Sequence, residues 1–273
     1  ERNRYLLAQP FSKNVETFVC PISKSKNEVS DGLKIAGGWR FFNELRVIQK
    51  KENVFSESIM STLKLIEEAK NESKEALQEA ENVIDSITNK RLSFSNLNMS
   101  QPHVMGIINS TPDSFYKKSR STNSSFAIKK SNQMISDGAS IIDIGGESSR
   151  PGAKKISIEE EMQRVIPSII DFKKNNLVTQ ISLDTRNLPT MKLGLESGVD
   201  IINDISGFAD HNKIKFVSKF NLPVIVMHMQ NEPNNMQIEP KYSFAPIDIY
   251  KILSKRVNLL IQMGVNKSNI VVD

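Results

Sequence analysis

The sequence predicts an α/β protein: a (β/α)8 TIM barrel, of which six strands are present in this chain, plus a smaller N-terminal α+β extension. Three observations predict it. First, short apolar runs at residues 104–108, 140–144, 180–183, 200–202, 223–227 and 270–272 alternate with amphipathic stretches near 125–137, 159–173, 188–197, 211–220 and 246–263. Second, the runs are apolar on every side, as parallel strands are when both faces are covered by helical crossovers. An open doubly wound sheet satisfies both of these. Third, every run finishes in a polar residue or turn: Asn109, Gly145-Gly146-Glu147, Asp184, Asn203-Asp204, His228 and Asp273. An open sheet gathers its chemistry at a switch point, whereas a barrel opens all strand ends onto one mouth. Polar chemistry at every run's end favours the barrel.

In chain order, residues 1–100 form the extension. Strands are expected around residues 5–7 and 33–42, the latter bent at Gly37-Gly38. From about residue 56 to 90 there is no Gly or Pro, and Ile59, Leu63, Ile66, Leu77, Ala80, Ile84 and Ile87 keep a three-to-four spacing. That periodicity predicts one long amphipathic helix, or two if the seam breaks where it falters at Lys70 and Ser73. The helix is expected to pack on its own domain; the polar gap counts against a coiled coil. Residues 91–100, rich in Ser and Asn, read as a linker, and the barrel occupies 101–273.

Composition narrows the function classes. Hydrophobic residues make up 38% and charged residues 25% of 273, with 12 Gly and 11 Pro, which excludes collagen-like, low-complexity and wholly disordered chains. The longest apolar runs fall far short of the ~18–20 residues that cross a bilayer, and the start carries no secretory signal; no membrane partner is expected. Cys20 is the single cysteine, so a disulfide scaffold is excluded and a reducing, cytoplasmic location is expected. The net charge of +5 is spread along the chain without a cluster. It points to no nucleic acid and is compatible with a small anionic substrate. The chain starts at Glu1 and stops at Asp273 inside an apolar run, so both ends read as cut.

Four segments carry the chemistry. Asn109-Ser-Thr-Pro-Asp-Ser-Phe115 must be a loop over the barrel mouth, because Pro112 stops strand pairing. Asp143-Ile-Gly-Gly-Glu-Ser-Ser-Arg-Pro-Gly-Ala153 combines two glycines that admit a ligand with hydroxyls at Ser148 and Ser149 and the forked cation of Arg150, suited to phosphate oxygens. It has neither the Walker nor the dinucleotide glycine spacing. Asp143 should point into the barrel interior, where a carboxyl group needs hydrogen bonds. Ser182-Leu-Asp184-Thr-Arg186 and Ile201-Ile-Asn203-Asp204-Ile205 end adjacent strands, so Asp184 and Asn203 can converge. A carboxylate beside a carboxamide suits a flat heterocycle presenting donors and acceptors along one edge, and Asp273 adds another acceptor.

With these residues assembled, the chain from about His103 to Asp273 resembles the dihydropteroate synthase family. The resemblance rests on Val-Met-Gly-Ile-Ile-Asn-Ser-Thr-Pro-Asp-Ser-Phe115, Ile-Ile-Asp-Ile-Gly-Gly-Glu-Ser-Ser-Arg-Pro-Gly-Ala153, Ile-Ser-Leu-Asp-Thr185, Ile-Ile-Asn-Asp-Ile205 and Pro-Val-Ile-Val-Met-His-Met-Gln230, in that order. It implies a transferase of folate biosynthesis and a sulfonamide target. The enzyme would condense 6-hydroxymethyl-7,8-dihydropterin pyrophosphate with 4-aminobenzoate and release pyrophosphate, with Mg2+ on the leaving group. It implies that Asp184, Asn203 and Asp273 hydrogen-bond the pterin, that Ile205 and Met227 wall its slot, and that Asn109 meets the metal. Ser149 and Arg150 would meet 4-aminobenzoate and pyrophosphate, with Arg150 and Asp184 catalytic; Phe115 belongs to the substrate-binding first loop. A homodimer is also implied.

The chain departs from the family in three places. After Phe115 the family continues Ser-Asp-Gly-Gly, whereas this chain has Tyr116-Lys117-Lys118-Ser119, turning a loop carboxylate into Lys117. Ser149 replaces the commoner Thr and keeps the hydroxyl. Asp273 opens a family segment that goes on beyond this sequence, and the residues from 103 fall short of the roughly 250 of a whole barrel. Two rival readings are a non-catalytic pterin-binding homologue and a pterin-dependent methyltransferase domain; the Ser148-Ser-Arg-Pro-Gly152 loop argues against the second.

Overall fold

The computed structural model describes residues 2–3, 6–22, 25, 27–28, 30–110, 120–147, 155–175, 179–230 and 240–273. The chain divides into two compact units, Glu1–Leu92 with Asn98–Gln101, and Ser93–Leu97 with Pro102–Asp273.

In the first unit, β2 (Glu16–Ile22), β5 (Glu44–Lys51) and β6 (Val54–Ser61) form an antiparallel meander, with β1 (Arg2–Asn3) parallel to β6 at its edge. None of these strands was expected. The strands are selected by cross-strand pairing, local in the β5–β6 hairpin and about thirty residues apart between β2 and β5, which the apolar spacing of each segment does not contain. The expected strand at 33–42 is instead a small ribbon, β3 (Leu33–Lys34) and β4 (Phe41–Phe42), separated by a one-turn 3-10 helix at Ile35–Gly37. Of the expected strand at 5–7, Tyr5 lies outside the described residues and Leu6-Leu7 is irregular. The reason is a buried side chain: Gln49 Oε1 accepts from the Leu7 N–H at 2.8 Å, and its Nε2 donates to the Ala8 carbonyl at 2.9 Å.

The helical region also differs from its prediction. Residues 54–61 belong to the hairpin, so Ile59 sits on a strand, 58% exposed, and the helix starts only at Thr62. Ser61 caps α1 (Thr62–Glu72) by accepting from the Lys64 N–H. The break falls at Ser73, where the apolar seam falters. Ser73 is extended (φ −169°, ψ 168°) and its Oγ accepts from the Ala76 N–H at 3.0 Å, starting α2 (Lys74–Thr88). The two helices pack through small buried faces at Ala69, Ala76 and Ala80.

The second unit is a six-stranded parallel sheet in sequential order: β7 (Val104–Asn109), β8 (Ala139–Gly145), β9 (Gln180–Asp184), β10 (Ile201–Asp204), β11 (Val224–Val226) and β12 (Ile270–Val272). The intervening helices are α3 (Arg120–Ser136), α4 (Ile158–Lys174), α5 (Leu188–Ser197), α6 (His211–Lys219) and α7 (Ala245–Gln262). All six strands and five helices fall where the sequence places them, within a few residues at each end. Sequential parallel order with a helix in each crossover is the strand order of a (β/α)8 barrel. The core lies between sheet and helices, with Ile142, Ile144, Leu183, Val224 and Val226 on strands meeting Val165, Ile169, Phe172, Met191 and Val217 on helices. The segment expected as a linker is partly structural: Phe94 is buried, and Ser95 Oγ hydrogen-bonds Gln180 Oε1 at the start of β9.

Ser73→Ala removes the hydroxyl that starts α2 and is expected to cost about 1 kcal/mol, read as a lower denaturant midpoint for loss of the first unit's helix signal.

Candidate active site

Parallel pairing aligns the polar strand ends. Asn109 pairs with Gly145, Gly145 with Asp184 and Asp184 with Asn203, so four neighbouring strands place these residues in one row. Gly145 supplies the gap in that row. A Cβ built there would lie 3.2 Å from Asp184 Oδ2 and 3.7 Å from Asn109 Oδ1, so both oxygens look onto the same bare backbone. One layer below, Asp143 pairs with Ser182, and both are buried.

The polarity of the row follows from Asp143. Asn203 Nδ2 donates to Asp143 Oδ2 at 3.3 Å, which orients the carboxamide. Asn203 Oδ1 and Asp143 Oδ1 are then buried with no hydrogen-bond partner among the described residues. Buried polar atoms are rarely left so, and both of these can accept a hydrogen bond. Burial pushes the Asp143 carboxyl above its ordinary value, opposed by the Ser182 and Asn203 side chains and reinforced by the charge of Asp273. Asp184 lies well above its ordinary value, first through burial and then through the charges of Asp143, Glu161, Asp204 and Glu147.

Three ties hold the surrounding turns. Asp204, fully buried, accepts from Lys213 Nζ at 2.6 Å and from the N–H groups of Ser206 and Phe208. This fixes the β10–α6 turn at Ile205, where Gly207 (φ 62°) comes so close to the next strand end that a Cβ would lie 2.7 Å from the Met227 carbonyl oxygen. Arg186 makes a two-pronged ion pair with Glu147, both bonds 3.0 Å. Glu161, from α4, accepts from Thr185, Asn187 and Thr190. Beyond β11, His228 Nε2 and the Tyr242 hydroxyl are 3.0 Å apart, and Gln230 makes two hydrogen bonds with the Lys241 backbone.

Of the residues singled out from sequence, Asn109, Asp184 and Asn203 share the row. Ile205 and Met227 are half-buried on the turns beside it. Asp273 follows β12, exposed, with its N–H on the Val226 carbonyl. Phe115, Lys117, Ser149 and Arg150 lie outside the described residues. Sequence reasoning missed the roles of Glu147, Glu161, Arg186 and Lys213. Glu161 sits in a run of three glutamates at a helix start, which reads as a solvated first turn, and Lys213 stands in a polar helix.

Residues 105–273 match the sequence profile of the family described as pterin binding enzyme. The chain belongs to the pterin binding enzyme family. A dihydropteroate synthase of Haemophilus influenzae is 38% identical over 177 residues, which are 65% of this chain and 64% of that protein. The chain thus spans less than two thirds of that relative. Among solved structures, the Yersinia pestis dihydropteroate synthase in a sulfonamide complex aligns at a TM-score of 0.59 and 36% identity, covering 65% of this chain and 64% of its own. The Burkholderia cenocepacia enzyme complexed with 7,8-dihydropteroate aligns at 0.56 and 37%, covering 65% and 59%. The six-stranded sheet is therefore a TIM-barrel arrangement of the pterin binding family, with acceptor groups at its strand ends.

Two outcomes follow from the electrostatics of this family member. Because the fold raises the Asp184 carboxyl, folding takes up a proton there. Stability then falls as pH rises from the ordinary carboxylate value through the folded one. Asp184→Asn removes that loss and is expected to raise the melting temperature at pH 7 by a few degrees, about 2–4 °C per kcal/mol for a unit of this size. Lys213→Met strands Asp204 as a buried, unpaired charge. A loss of about 3–5 kcal/mol is expected, measured by denaturant unfolding.

Proposed function

We propose that this chain carries dihydropteroate synthase activity, condensing 6-hydroxymethyl-7,8-dihydropterin pyrophosphate with 4-aminobenzoate and releasing pyrophosphate. The observation that carries the reading is the row of Asn109, Gly145, Asp184 and Asn203, in which side-chain oxygens of Asp184 and Asn109 face the side-chain-free gap at Gly145. A reduced pterin offers a flat ring whose edge bears several N–H donors, and such an edge matches acceptors of this kind. The relative bound to 7,8-dihydropteroate supports the same substrate class.

In the proposed reaction the 4-aminobenzoate nitrogen bonds to the pterin methylene carbon as the carbon–oxygen bond to pyrophosphate breaks. The electron pair leaves with pyrophosphate, and the proton of the resulting ammonium passes to water. Asp184, Asn203 and Asp273 hold the pterin edge, and Ile205 and Met227 flank the ring. Asp184 is crowded by like charges, so positive charge developing on the ring relieves that crowding, and no protein nucleophile is needed. Ser149 and Arg150 meet 4-aminobenzoate and the leaving group, with Phe115 on the first loop.

The Mg2+ of the proposed reaction would be held by one or two protein oxygens together with the substrate's phosphates. Asn109 would supply its carboxamide oxygen, and the bound ion would neutralise charge on the departing pyrophosphate. A homodimer in the cytoplasm completes the proposal; the single cysteine fits a reducing compartment, and light scattering checks the dimer.

The test is a coupled assay for pyrophosphate release with both substrates. The unaltered protein is expected to turn over, and Asp184→Asn to lose at least tenfold with its fold intact. Near-normal turnover in that variant would remove Asp184 from the mechanism. Pterin binding by calorimetry without any pyrophosphate release would favour the binding-only reading, to which Lys117 lends weight.

A further inference from the structure

Glu161 is 1% exposed, yet it sits in the first turn of α4, where acidic side chains ordinarily face water. It reaches the interior because Gly146 has no side chain: a Cβ there would lie 2.9 Å from Val165 Cγ1 and 3.1 Å from Glu161 Cγ. Among the described residues its carboxyl group meets no cation. Instead both oxygens accept from one short stretch of chain: Oε1 from the Thr185 hydroxyl at 2.8 Å, and Oε2 from Asn187 Nδ2 at 3.0 Å and from the Thr190 hydroxyl. A contact that merely held α4 on the sheet would be made at lower cost by an apolar side chain.

The stretch it grips is the turn that continues Asp184. Thr185 N–H donates to the Asn203 carbonyl at 3.0 Å, so the same residue that Glu161 holds also ties the ends of β9 and β10 together. Thr185 Oγ1 in turn accepts from the Asn187 N–H at 3.1 Å. Asn187 stands at the N-cap of α5, where its side chain would ordinarily accept from a helix N–H. It makes no such bond and is turned to Glu161. A local helix cap is forgone for a long-range tie beneath the site.

We propose that Glu161 is a positioning residue for pterin recognition, acting through Thr185 and Asn187 to fix the Asp184 carboxyl group beside Asn203. This rests on the reading of the strand-end row as a pterin site. Glu161 touches no substrate. Its effect is on the spacing and direction of the two groups that do.

The test uses the whole protein with Glu161→Gln, Thr185→Val, Thr185→Ser and the Glu161→Gln/Thr185→Val double variant, with 6-hydroxymethylpterin as the calorimetric probe. Glu161→Gln and Thr185→Val are expected to weaken probe binding at least fivefold and to lower kcat/KM for the pterin pyrophosphate in parallel. The KM for 4-aminobenzoate should stay within twofold. Thr185→Ser keeps the hydroxyl and should bind within twofold of the unaltered protein, and the double variant should be no weaker than the weaker single one. Should Glu161→Gln not fold, the isosteric Thr185→Val and the rescue by Thr185→Ser decide the matter between them. The proposal is overturned if folded Thr185→Val binds the probe normally and loses only melting temperature, if Thr185→Ser is as impaired as Thr185→Val, or if the two single effects multiply. Probe binding without pyrophosphate release in the unaltered protein removes the synthase reading and leaves this inference to stand or fall on the binding series. No probe binding in the unaltered protein removes both.

Discussion

The confinement of carboxyl groups, through burial first and mutual repulsion second, is the constraint around which the barrel unit's strand ends are organised. Asp143, Glu147, Glu161 and Asp204 all bear on Asp184. In a low-dielectric interior, like charges at such proximity are strongly unfavourable. Each of the four is met by a specific compensation. Lys213 pairs with Asp204, Arg186 with Glu147, Asn203 donates to Asp143, and three neutral donors converge on Glu161. The Asp184 carboxyl, on which these charges bear, lies well above its ordinary value.

These compensations also shape the mouth. Arg186 joins the end of β9 to the root of the loop that follows β8. Lys213, besides its ion pair, reaches the Arg186 carbonyl at 3.3 Å, so the β9 and β10 turns share a cation. The strand ends are thereby braced against one another before any ligand arrives. Preorganisation of this kind is what electrostatic recognition and catalysis require, since groups already in place pay no reorganisation when charge moves. A ligand bringing N–H donors and positive charge would relieve the same crowding.

The first unit is governed by different physics. Its core gathers Phe42 of the ribbon with Leu45, Val47 and Met60 of the meander and Leu65 of α1, and a buried glutamine rather than a sheet satisfies the backbone near residue 8. Its helical pair was legible because a 3.6-residue period survives in the sequence. Its strands were not, because residues 54–61 carry apolar side chains at spacings that also fit a helix. Only pairing with Glu44–Lys51 selects the strand.

For the barrel unit, the sequence alone determined the strand and helix order, the polar strand ends with Asn109 among them, and Asp184 and Asn203 as convergent groups. It could do so because doubly covered parallel strands are apolar throughout, and their ends stand out as the first polar residues after each run. Tertiary structure decided the rest. Glu161 lies 24 residues before Thr185, Glu147 39 residues before Arg186, and Asn203 60 residues after Asp143. No local pattern marks such partners, because burial and pairing arise only when separate strands are brought into register. A glutamate in a helix's first turn reads as solvated until a glycine just past the end of a neighbouring strand leaves the space that draws it inside.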